Sequence, residues 1–75
     1  MLSSVNINEL CNVAGVKDSS SDFLQFLDKH DININTEIKV LEKYDFDDSM
    51  TVQLNNIESL TLSKKVCTNL FVKTK

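Results

Sequence analysis

The stretch Asp22–Leu54, DFLQFLDKHDININTEIKVLEKYDFDDSMTVQL, decides the fold. Ser19, Ser20 and Ser21 precede it, and a serine hydroxyl can accept a backbone N–H bond at a helix start. Asp22 suits the positive end of the helix dipole. Phe23, Leu24, Phe26 and Leu27 follow at the three-and-four spacing of one buried face, with Gln25, Asp28 and Lys29 turned outward. His30 falls near the helix end, where a cation is favoured. Asp31 is placed to stop the helix, because Asp tolerates the left-handed conformation better than most side chains.

The period then changes from helical to alternating. Thr36–Lys43 reads as a strand with Ile38 and Val40 on one face and Glu37 and Lys39 on the other. Thr51–Leu54 repeats the pattern, with Val52 and Leu54 inward. Tyr44–Ser49 between them, YDFDDS, reads as a hairpin loop with an acidic tip. Asn35 is the expected positive-φ residue of the turn after the helix.

Outside this stretch the signals are weaker but ordered. Residues 1–9 read as a frayed N-terminal segment or linker remnant, and 10–75 as the folded domain. Glu9–Lys17 reads as an opening strand carrying Leu10, Val13 and Val16, with Gly15 marking a bulge. Asn55–Asn56 forms a two-residue turn. Ser59–Leu62 is a strand with Leu60 and Leu62 inward, Ser63 caps one helical turn over Lys64–Asn69, and Leu70–Lys73 is the last strand. Five short strands, an inserted helix and a single helical turn describe a small, mostly β, five-stranded antiparallel barrel. The expected interior is Phe23, Phe26, Leu27, Ile38, Val40, Val52, Leu54, Leu60, Leu62, Val66 and Val72.

Composition bounds the function. The chain has 75 residues, so it is one small domain. A stability of about 4–11 kcal/mol follows from the usual per-residue scale. Apolar residues make up 41% and charged residues 25%, ordinary values for a folded protein. The net charge of −3 lacks the basic footprint of a nucleic-acid surface. No apolar run approaches the ~20 residues of a membrane span, and Met1-Leu2-Ser3-Ser4 does not open a signal peptide. Cys11 and Cys67 are far apart and outside any CxxC pair, so both are expected to be reduced, buried and cytoplasmic.

Chemistry-bearing constellations are sparse. Asp45, Asp47 and Asp48 lack the spacing and the Gly of a calcium loop and read as a solvated tip. His30, beside Asp28 and Asp31, reads as a helix-end cation. Lys64-Lys65 is a short solvated face. Tyr44 and Phe46 give thin support for a peptide groove. No nucleophile–base pair or phosphate-cradling glycine loop is visible, so no enzyme is expected.

The helix ending in Leu27-Asp28, the turn, the Thr-x-Ile-x-Val strand at Thr36–Val40, the hairpin, then Leu60-Thr61-Leu62-Ser63 and Leu70-Phe71-Val72 resemble the SH3-like domain of the ferrous iron transport protein A (FeoA) superfamily. They also resemble the C-terminal domains of repressors of the diphtheria-toxin-repressor type. The resemblance covers about Leu10–Lys73. Asp31 stands where the family often has Gly, and Ile34-Asn35 where it often has Pro-Gly.

The resemblance implies regulation and contact. In the repressors a winged-helix domain binds DNA, a helical domain dimerises, and the barrel tunes the metal-bound state. In some iron repressors the barrel lends oxygen ligands from the start of its inserted helix. The matching positions here are Ser19 and Asp22, and only Asp22 is a good hard-metal ligand.

The expected function is therefore a non-enzymatic regulatory domain of an iron- or manganese-dependent repressor, with the other domains of the same chain as partners. Fe(II) or Mn(II) is expected in the full-length protein, no cofactor in this domain, and no direct contact with nucleic acid. The alternatives are a free-standing accessory protein for a ferrous iron transporter and an interaction barrel with no metal link.

Overall fold

The computed structural model describes residues 1–74. The expected domain end, at residue 75, lies outside the described residues. After a 3-10 turn at Leu2–Ser4 come β1 (Leu10–Val16), α1 (Ser21–Lys29), β2 (Glu37–Tyr44), β3 (Ser49–Leu54), β4 (Glu58–Leu62), α2 (Lys64–Cys67) and β5 (Leu70–Thr74). The strands form one antiparallel sheet in the order β4-β3-β2-β1-β5. Leu62 and Leu70, on opposite edge strands, are both fully buried in one cluster with Val13, Val40 and Val52. A flat sheet leaves its edges open, so this one curls on itself, as the SH3-like expectation requires.

The ends of α1 follow from its sequence. Asp31 takes φ 57°, its N–H bonds the Asp28 carbonyl at 3.1 Å, and the Ile32 N–H bonds the Leu27 carbonyl at 2.8 Å. This is the paired-bond helix stop that normally uses glycine, and it carries Ile32 into the core. At the other end Ser20 is the N-cap, yet no serine hydroxyl caps the helix. Asp18 organises the entry instead: its carboxylate accepts the Ser20 N–H at 2.9 Å and the Ser20 hydroxyl at 3.3 Å.

The turns obey side-chain chemistry. Asn35 (φ 71°), Asn55 (φ 50°) and Asn56 (φ 60°) all occupy the left-handed region. Asn55 also accepts the Glu37 N–H through Oδ1 at 3.0 Å, tying the β3–β4 turn to β2. Gly15 does mark a bulge, since the β1–β5 register shifts between Val13 and Gly15. A second shift, between Val40 and Glu42, has no glycine to announce it.

Three expectations are corrected. Residues 1–9 are not frayed: Leu2 and Val5 are buried, and the Asn8 N–H bonds the Val40 carbonyl at 2.6 Å. Within β1, alternation around Cys11 and Val13, both buried, turns Leu10 outward. Leu24 is exposed, because the buried stripe of a nine-residue helix is only wide enough for Phe23 and Leu27, with Phe26 on its flank. Leu60 and Val72 are only partly buried, packed against the core from its margin.

Candidate functional site

The start of α1 is where the family resemblance places metal-directed side chains. Asp22 is exposed there and lines a cleft of about 250 Å³ with Asp18, Ser20, Ser63 and Lys65. Ser19 is exposed and is not part of that lining. The cleft exists because α2 packs beside the α1 entry, so Lys65 brings a cation to the same opening as the two carboxylates. A transition metal needs several converging ligands. Among the described residues no three His, Cys, Asp or Glu side chains form such a group. The described residues do not fit a self-contained metal centre.

His30 has another partner. Its ring packs on Phe26 with centroids 4.7 Å apart and planes tilted by 57°. The aspartates on either side of it in sequence do not join it in a ligand group.

The two cysteines are free and buried. Burial pushes the Cys67 thiol up to about 11. Burial also raises Cys11, whose thiol points at the Ile38 carbonyl at 3.5 Å. Thiols held protonated in this way are poor nucleophiles and poor metal ligands at neutral pH.

The β2–β3 tip is a built structure. Asp47 Oδ1 accepts the Ser49 N–H at 3.1 Å and the Ser49 hydroxyl at 2.7 Å. These bonds hold its carboxyl below the usual carboxylate range. Lys64 reaches Asp48 at 3.6 Å across the gap between α2 and the tip. Beside the tip a cleft of about 400 Å³ is lined by Ser3, Lys43, Tyr44, Asp45, Lys64 and Thr68 among others. Lys43 donates to the Ser3 carbonyl at 3.4 Å there. Tyr44, expected near a groove, borders this cleft, and its hydroxyl bonds Thr51 at 3.1 Å. Sequence reading did not find this cleft, since it joins the N-terminal turn, the hairpin and α2, segments that only the folded chain brings together.

These features define a small SH3-like module. The chain belongs to the FeoA domain family, whose model matches residues 1–74, and it is a non-enzymatic domain. Among solved structures it is similar to a manganese-dependent transcriptional repressor in complex with manganese, with TM-score 0.91 and 16% identity over 99% of this chain and 35% of that one. It is similar to an FeoA-like protein from Clostridium acetobutylicum, with TM-score 0.84 and 25% identity over 97% of this chain and 83% of that one. It is also similar to iron(II) transport protein A from Clostridium thermocellum, with TM-score 0.84 and 16% identity over 97% of this chain and 44% of that one. The chain thus spans about a third of the repressor's length. A search of curated proteins finds no match. Among the described residues no helix is long and apolar enough to cross a membrane.

Proposed function

We propose that this chain is a regulatory contact domain of an iron- or manganese-dependent transcriptional repressor, acting in the cytoplasm on the other domains of its own chain. One observation carries the reading: 99% of the chain overlays on a 35% portion of a manganese-dependent repressor at TM-score 0.91, so its shape is that of one domain of such a protein. The surface supports it, because mixed-charge clefts without a reacting pair serve contact rather than catalysis.

Such a domain works by differential contact. If it touches the other domains better in their metal-loaded arrangement, it shifts the equilibrium toward that arrangement and toward DNA binding. The metal's main ligands would lie in those other domains. Asp22, exposed at the α1 entry, is the residue here suited to add a carboxylate.

Removing residues 1–74 from the full-length protein tests this. The manganese or ferrous concentration needed for half-maximal operator binding is expected to change at least threefold. An unchanged midpoint sinks the reading.

A second reading has its own observation. The Clostridium acetobutylicum FeoA-like protein is matched over 83% of its length at 25% identity. On that reading the chain is a free-standing accessory of ferrous iron transport, and its partner is a cytoplasmic part of the transporter. Co-purification of a ferrous iron transporter, with no operator-binding phenotype, would favour it.

A further inference from the structure

Phe46 stands at the β2–β3 tip and is 100% exposed. A solvated turn needs no aromatic residue; Asp, Asn, Gly and Ser meet its conformational demands. The tip that carries Phe46 is also fixed. Asp47 is bonded twice by Ser49, the Asp48 N–H bonds the Tyr44 carbonyl at 2.8 Å, and the Asp48 carboxylate faces Lys64. An aromatic ring held out on a fixed loop buries a large apolar area on docking and loses little conformational freedom. Those properties mark residues that anchor interfaces.

The surroundings say what it docks against. Asp45 and Asp47 flank the ring in sequence, and Asp48 follows. Among the described residues the Asp45 side chain has no hydrogen bond or ion pair; the residue is exposed, at the cleft that Lys43 and Lys64 also line. We propose that the β2–β3 tip is a docking element for a protein surface that offers an apolar pocket to Phe46 and a rim of Lys or Arg to Asp45 and Asp47. Charge complementarity selects this occupant: nucleic acid and anionic membrane are both repelled by the carboxylates. The proposal rests on the domain being a contact module and names the surface that makes the contact.

The test replaces Phe46 with the photo-reactive residue p-benzoylphenylalanine in the full-length protein, in metal-replete and metal-starved cells. The expected result is one dominant cross-linked peptide, from an apolar pocket bordered by Lys or Arg. Adding Asp45→Lys is expected to lower the yield at least fivefold. Phe46→Ser is expected to move the melting temperature by less than about 4 °C, as for an exposed side chain without a structural role.

Several outcomes overturn the proposal: a yield no higher than from the same photo-residue at Ile57, which is 84% exposed on the β3–β4 turn; a mapped site without cations; an adduct with nucleic acid or lipid; or a large thermal loss in Phe46→Ser. If deleting the domain still shifts metal-dependent operator binding while these cross-links fail, only the assignment of the tip falls. If both fail, the contact-module reading falls with it.

Discussion

Replacing Leu54 by Ala is expected to cost about 2–5 kcal/mol, read as a lower urea midpoint, because the side chain is buried in the core cluster. Leu2→Ala is expected to cost a similar amount. Leu2 is fully buried, so a neutral result would return the N-terminal segment to the frayed state expected from sequence. The two residues differ in legibility. Leu54 sits in an alternating run whose parity is plain. Leu2 is an isolated apolar residue among polar ones, and no local period marks its burial.

Cys67 makes a pH prediction at the same scale. Its thiol titrates near 11 in the fold, above the ordinary value of 9.0. Between those values the unfolded chain gives up the proton and the folded chain keeps it, so stability falls as pH rises. The stabilisation is complete below about 9 and is lost as pH climbs through the folded value. The urea midpoint is expected to drop more between pH 8 and pH 10.5 in the native protein than in Cys67→Ala. Equal drops would contradict the assignment.

At the scale of elements, positive-φ asparagines and aspartates set the boundaries. Asn55 and Asn56 adopt φ 50° and 60°, the geometry that matches strand twist in a tight hairpin. Asn56→Val is expected to cost about 1–2 kcal/mol, since a branched side chain strains that conformation. A Val variant with an unchanged midpoint would mean the turn can be rebuilt at no cost. The helix stop, the Asn35 turn and both hairpins were readable, because each uses an Asn or Asp that tolerates positive φ, and the Gly15 bulge was readable because the one glycine marks it. The bulge between Val40 and Glu42 was not, since ordinary residues build it. Leu24 was misplaced because apolar spacing was counted without the stripe width that tertiary packing imposes.

The candidate site was legible only in part. Asp22 at the helix entry was singled out through family resemblance, and the structure places Asp18 and Lys65 at the same opening. No period links residue 22 to residue 65, so only the docking of α2 reveals the cation.

For the whole molecule, the isolated domain is expected to give no gel shift with operator DNA at low salt. Micromolar, salt-sensitive binding would contradict the acidic surface, because such binding needs phosphate neutralisation by Lys or Arg. Calorimetry of the isolated domain with Mn(II), Fe(II) or Zn(II) is expected to show weak binding or none. If the domain lends its carboxylate to a metal held by other domains, as proposed, Asp22→Asn is expected to weaken metal binding by the full-length protein. Unchanged affinity would leave Asp22 as a first-turn acid worth roughly 0.3–1 kcal/mol to the helix.

The pairing of β1 with β5 sets Cys11 opposite Thr74, so strands from the two ends of the described chain lie side by side. Closing so long a loop is entropically slow, and folding speed falls as contacts become more distant in sequence. The hairpins β2–β3 and β3–β4 can form while the chain is still being made. β1 can pair with β2 on one side, but its other side must wait for the last strand. Until β5 emerges from the ribosome, one side of β1 is an open edge with Val13 and Val16 beside it, a surface prone to pair with another chain. A translational stall just before Leu70 would therefore leave this small domain at its most aggregation-prone.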